Sequence, residues 1–202
     1  MLAALITAGV YFTRSDFITP WVIPPMKAAE EQTRKDPVMT GEEFSRAMAA
    51  QLGGHSESES ARMAFNALAG SWNVPPVPES IELDPTSGME SAALDRGLRL
   101  YRFSGNLGAL LRANYPAVLE LRLPGVSGRR FVSLVGLAGE QLLIDPPIAG
   151  RRSLSFSEIE KHWSGQAVFF WKDALNLVKS EFPGSRGDWV KQVQGLLKEA
   201  GA

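Results

Sequence analysis

The chain predicts an α+β domain in which N-terminal helices pack on an antiparallel sheet, and three observations carry that expectation. Between Thr40 and Gly97 apolar residues recur mainly at three- and four-residue spacing, the period of a helix buried on one face. From Ala117 to Trp171 the period is mainly two, in short runs separated by Gly-containing turns. The 202 residues are 45% hydrophobic and 21% charged, enough for one domain with a true core.

The first helix is predicted over Gly41–Leu52. Thr40 stands where an N-cap belongs and Glu43 three residues on, the capping-box pattern, with Phe44, Met48 and Leu52 on the inner face and Gly53-Gly54 as the stop. SESESARMAFNALAGSW is a second helix with serines suited to capping and Met63, Ala64, Ala67 and Leu68 expected inward. After the connector NVPPVPES, a third is expected over Met89–Leu98, stopping near Gly97. LRLYRF (98–103) alternates as a strand, and NLGALLRAN (106–114) is a short helix carrying Leu107, Leu110 and Leu111. AVLELRLPG, RRFVSLVGL and EQLLIDPP then form an antiparallel meander, RRSLSF adds a strand, SFSEIEKHW a serine-capped helix ending at Ser164-Gly165, and QAVFFW the last strand.

Composition narrows function mainly by exclusion. A formal net charge of −1 gives no general pull toward nucleic acid or acidic lipid. With no cysteine there is no disulfide, thiolate metal site or thiol catalysis, and two distant histidines, His55 and His162, make no zinc site. No cofactor is expected. MLAALITAGVYF (1–12) is apolar but shorter than the roughly 20 residues a spanning helix needs. It reads as a residual membrane anchor or, alternatively, as a buried helix. Residues 13–39, with Trp21 among prolines and then KAAEEQTRKD, read as a linker leaving the membrane.

The run from Arg129 to Trp171, with its Asp-Pro strand and W-x-G, resembles the second half of the bacteriocin-processing cysteine peptidase domains of peptide exporters, a papain-like fold. The resemblance implies a cysteine opening the core helix, a histidine in His-Phe-Val-Val-Leu, an aspartate in Asp-Pro, and a glutamine serving the oxyanion hole. Here Ser58 to Ser60 cover the cysteine position, Arg130-Phe131-Val132 fills His-Phe-Val, Asp145-Pro146 is kept, and Gln51 matches the glutamine loosely. Arginine stays protonated and cannot act as a base. No catalytic residue is therefore expected; Gln51, Ser58, Ser60, Arg130 and Asp145 are vestigial positions. Arg130 and Asp145, on neighbouring strands, are expected to form a cross-strand ion pair in place of the His–Asp contact.

GLRLYRFSGNLGALLRANYPAVLEL, the Asp-Pro strand and SFSEIEKHWSGQAVFFW are more similar still to the periplasmic part of general secretion pathway protein A. That family couples an ATPase, a membrane helix, an inactive peptidase-like domain and a peptidoglycan-binding module. The resemblance implies a periplasmic, inner-membrane-anchored, non-catalytic domain that helps a secretin assemble. Its partners would be a secretion-system membrane protein and peptidoglycan, not nucleic acid. These 202 residues hold no ATPase segment, so the chain is expected either to be a fragment or to lack one. The domains expected are the anchor, the linker, a degenerate peptidase-like domain at 40–172 and, at 173–202, the first helix of a peptidoglycan module. Val190, Val193, Leu196 and Leu197 form an apolar stripe there, expected either to pack on the domain or to bind a partner.

Other readings of the polar residues remain. Asp145 is also a turn-starting Asp-Pro whose carboxylate caps local backbone, and His162 a charge complement to the end of its helix. An active amide hydrolase acting on wall or leader peptides, built on Ser58 or Ser60, is the alternative function. Glycan binding through residues 184–202 is a third, though one helix cannot bury a module's core by itself.

Overall fold

The structure, a computed structural model, describes residues 21–22, 27–28, 37 and 39–173. The expected anchor at 1–12, most of the 13–39 linker, and the tail stripe Val190, Val193, Leu196 and Leu197 lie outside them. Among the described residues no helix is long and apolar enough to cross a membrane.

Two short strands come first, β1 (Trp21–Val22) and β2 (Lys27–Ala28). Helix α1 (Gly41–Gly53) begins with the expected capping box: the Glu43 amide donates to Thr40 Oγ1 (3.3 Å) and the Thr40 amide to Glu43 Oε2 (2.9 Å). Phe44, Met48 and Leu52 are buried along it, as their spacing predicts. Ser56 caps α2 (Glu57–Ala69) by accepting from the Glu59 amide at 3.0 Å. The buried face of α2 is turned from the expected one. Ala64 and Leu68 are inside, but Ala61, Phe65 and Ala69 join them while Met63 and Ala67 stay half-buried. Phe65 sets that rotation, since its ring meets Phe170 edge-on at 5.1 Å.

Helix α3 (Ser87–Leu94) starts two residues before the expected Met89, because Asp84 Oδ1 accepts from the Thr86 and Ser87 amides and turns the chain early. It ends in a Schellman closure. Leu98 N donates to Ala93 O, Gly97 N to Leu94 O, and Gly97 supplies the positive φ of 70° that this closure needs. Then follow β3 (Arg99–Ser104), α4 (Leu107–Ala113), β4 (Ala117–Leu121), β5 (Arg130–Ala138), β6 (Gln141–Ile148), β7 (Arg151–Ser155), α5 (Phe156–Glu160) and β8 (Trp163–Asp173). Helix α5 stops short of the expected Ser164-Gly165: the His162 amide closes on Ile159 O, and Trp163 already pairs with Leu121 of β4.

Within the unit Ile23–Lys172 the strand order is β3-β8-β4-β5-β6-β7, every neighbouring pair antiparallel. Past the end of β4, β2 lies parallel to β5, Lys27 opposite Gly136. The α+β class expected from the sequence is found, with helices on both faces of the sheet. One core cluster joins Phe44, Met48 and Leu52 of α1 and Leu110 of α4 to Leu119, Val132 and Leu134 of the sheet. The other joins Phe65 and Leu68 of α2 and Met89 of α3 to Val118, Phe131 and Phe170. Successive residues of β4 and β5 therefore enter opposite cores, and both strands are buried almost throughout.

Candidate functional site

Side-chain alternation along β5 sorts the predicted site residues onto faces. Val132 and Leu134 point to the α1 side, whereas Phe131 points to the α2 side and Ser133 Oγ donates to Ala64 O of α2 at 2.6 Å. Asp145 stands directly opposite Ser133 in the β5–β6 ladder, so it shares the α2 face. Arg130 is three residues from Ser133 and faces α1.

The expected Arg130–Asp145 ion pair is therefore not formed. Arg130 is buried, and its Nε donates to Leu52 O in the last turn of α1 (2.8 Å) while Nη1 donates to Ser127 O (3.1 Å) and Arg129 O (2.7 Å). It adds a charged donor to Leu52 O, which already accepts from the Gly54 and His55 amides at the end of α1, and to two carbonyls of the loop before β5. Asp145 instead meets Arg152 at 3.5 Å, both partly exposed.

Gln51 is likewise committed to structure. Its Nε2 donates to Pro147 O (2.9 Å) and its Oε1 accepts from the Ala149 amide (2.7 Å), tying α1 to the β6–β7 turn. Ala149 holds a φ of 49° in that turn, a conformation disfavoured for a residue with a Cβ. Ser60 Oγ is buried and donates to Glu57 O at 2.9 Å. Ser58 Oγ is buried with no hydrogen-bond partner among the described residues. None of the contacts described here joins either serine to a histidine. His55 Nδ1 lies 2.9 Å from Glu59.

His162 is buried with Nε2 3.0 Å from Ser45 Oγ. Burial, then the positive charge of Lys161, pushes its pKa below the ordinary histidine value against a hydrogen bond with the Arg122 backbone. The side-chain contact described for the ring is thus with Ser45 of α1. Ser45 Oγ also donates to Gly41 O at 2.8 Å, so its proton has a main-chain acceptor as well as the imidazole.

The residues that join the start of α2 to the start of β5 are ones the sequence did not single out. Glu57, the first residue of α2, accepts from the Arg129 amide through Oε1 (2.8 Å) and from Arg129 Nε and Nη2 through Oε2 (3.1 and 3.0 Å). Arg129 Nη1 reaches on to Glu120 Oε2 at 3.4 Å. The bond from the Arg129 amide, opposed by burial and then helped by its guanidinium, holds the Glu57 carboxyl below the usual carboxylate range. The available signal was the helix start: with Ser56 as cap, the first-turn residue is Glu57 rather than Ser58.

Beside this pair a cleft of about 160 Å³ opens on the α2 face of the sheet. Val118, Phe131, Ala167 and Val168 line it with Glu120, Arg129, Arg102 and Gln166, and Pro85 and Thr86 lie at its border. Arg102 Nη2 donates to Thr86 O at 2.7 Å and lies 3.4 Å from Glu90. Counting Glu57, Glu90 and Glu120 against Arg102 and Arg129, the surroundings are close to charge-balanced. Among the described residues no cluster of histidine and carboxylate side chains could hold a metal ion.

No family model matches the chain and no curated protein does. Several solved structures are similar to it. The peptidase domain of Streptococcus ComA, a bifunctional ABC transporter of a quorum-sensing pathway, has a TM-score of 0.47 at 13% identity, covering 58% of this chain and 94% of that one. The N-terminal peptidase C39-like domain of a toxin secretion ATP-binding protein from Vibrio parahaemolyticus has a TM-score of 0.41 at 13% identity, covering 58% and 98%. A periplasmic domain of the EpsAB fusion protein of the Vibrio vulnificus type II secretion system has a TM-score of 0.38 at 19% identity, covering 58% of this chain and 50% of that one. Among the solved structures similar to this chain are thus C39-like peptidase domains and a type II secretion periplasmic domain.

Proposed function

We propose that this chain is a non-catalytic periplasmic binding domain of a type II secretion assembly protein. It is held at the inner membrane by its N-terminal segment and helps a secretin assemble through a membrane-protein partner, peptidoglycan or both. The observation that carries the non-catalytic part is the Glu57–Arg129 pair. In a thiol hydrolase the start of the core helix and the facing strand must present a nucleophile and a base. Here the first residue of α2 is a carboxylate joined to Arg129, next to β5, by two hydrogen bonds from the guanidinium and one from the main-chain amide, and the positions matched by resemblance, Ser58 to Ser60 and Arg130, offer neither a thiol nor a base. The secretion role rests on the resemblance of the stretches within residues 97–171. The cleft beside the pair is the candidate binding surface.

Peptidase assays on generic and leader-type peptides test the catalytic half, and no turnover is expected. Sedimentation with purified peptidoglycan, using the full chain and a chain lacking residues 184–202, tests the wall half. Retention of the full chain is expected, and loss on truncation would assign the contact to the tail. One observation favours a second reading, an amide hydrolase: Ser58 Oγ is buried with no hydrogen-bond partner among the described residues. Turnover abolished by Ser58→Ala or Ser60→Ala would establish that reading and overturn the first.

A further inference from the structure

We infer that two copies of this chain join through the outer edge of β3, which pairs antiparallel with its own counterpart across a two-fold axis. Strand β3 closes one side of the sheet, and among the described residues β8 is its one strand partner. Among the described residues no strand lies along its other edge, whose main-chain N–H and C=O groups are a template for another strand. That edge carries Tyr101, the most exposed large apolar side chain described, at 59%. Tyr101 stacks on Phe169 at 6.4 Å, and Tyr115, 37% exposed, meets the same ring edge-on at 6.4 Å. Phe103, on the same side of β3, continues the row by stacking on Trp163 at 6.5 Å.

Self-pairing is restricted by geometry, and the residues of β3 then choose the register. In an antiparallel pair, opposite residues share a face and both direct their main-chain groups the same way, so residues of like parity must face each other. For Arg99–Ser104 two such registers tie in length, one centred on Tyr101 and one on Arg102. Centring on Arg102 places two guanidinium-bearing residues opposite each other, which is repulsive. Centring on Tyr101 places Tyr101 against Tyr101 of the second copy, Arg99 against Phe103, and Leu100 against Arg102. It has no like-charge pair and adds aromatic and cation–aromatic contacts on one face. The same patch meets itself, as a closed two-fold interface requires.

The absence of cysteine makes the register directly testable. Directly opposed antiparallel residues lie about 4.5–5.5 Å apart between Cα atoms, within disulfide reach. In the Tyr101 register the two copies of residue 102 are offset by two positions, roughly 8 Å apart and beyond that reach. The full chain at increasing concentration in sedimentation velocity is expected to show a monomer–dimer equilibrium. Tyr101→Asp should weaken it by about tenfold or more, with circular dichroism unchanged. Under mild oxidation Tyr101→Cys should give a covalent dimer and Arg102→Cys should not. A chain that stays monomeric, a dimer indifferent to Tyr101→Asp, or efficient cross-linking of Arg102→Cys would overturn the assignment.

Discussion

Replacing Arg130 by methionine should unfold the protein more easily without touching the cleft. The side chain is buried and makes three hydrogen bonds to main-chain carbonyls, of which the one to Leu52 O is fully buried and the two to Ser127 O and Arg129 O are partly so. A hydrogen bond from a charged donor contributes about 1.5–3 kcal/mol net, less where water can replace it. Methionine keeps most of the apolar stem and removes a buried charge, which offsets part of the loss. The balance is a destabilisation of about 2–3 kcal/mol. With urea m-values of about 1–3 kcal/mol/M, the midpoint should fall by roughly 0.7–3 M. Arg130→Lys, with one compact donor group in place of a fork, should recover less than half. Arg129→Met is the contrast: its side chain is 36% exposed, and its surface pairs are worth about 1 kcal/mol or less. An Arg130→Met chain less than about 0.5 kcal/mol weaker than the parent would refute the structural role assigned to Arg130.

Two further outcomes follow from the same geometry. His162 has a folded pKa below its ordinary value, so the unfolded chain takes up the proton first. Stability should fall as pH drops through about 6.5 and level off below the folded pKa; urea midpoints across that range in parent and His162→Gln should differ in slope. Gln51→Leu strips both bonds from the β6–β7 turn. It should cost about 1–3 kcal/mol, with hydrogen exchange accelerated first at Ala149, and unchanged exchange there would remove Gln51 from its structural role.

Most elements were legible because their signals are local. The Thr40–Glu43 box, the four-residue spacing of Phe44, Met48 and Leu52, and the Gly-bounded runs of β4 to β6 each declare themselves within a dozen residues. What was not legible depends on which side of the sheet a residue faces. A register slip of one residue exchanges the faces, and Arg129-Arg130 offers two arginines in succession at that point. Motif matching singles out Arg130, whose side chain turns to Leu52 of α1, whereas that of Arg129 reaches Glu57 of α2. Helix rotation was open for the same reason. Ala, Met and Phe on α2 fit either of two adjacent stripes until Phe170, about a hundred residues on, selects Phe65.

On the proposed non-catalytic reading, the start of α2 carries the charges of a reactive pair without its chemistry. The N-terminus of a helix stabilises an anion, and that field lowers the pKa of a thiol placed there and favours a thiolate beside a cationic partner. Glu57 is an anion in the same field, and Arg129 is its cationic partner. The difference is that neither group transfers a proton near neutral pH. The two residues should then be replaceable together more cheaply than apart. Glu57→Gln leaves the Arg129 charge supported by Glu120 alone, at 3.4 Å, and Arg129→Met leaves Glu57 with backbone donors only. The double change leaves neither stranded. Because both side chains are about a third exposed, the coupling in a double-mutant cycle read by urea denaturation should be about 0.5–1 kcal/mol. It should shrink in high salt. Strictly additive single effects would mean that the pair is incidental and would remove the support it lends to the proposed non-catalytic reading.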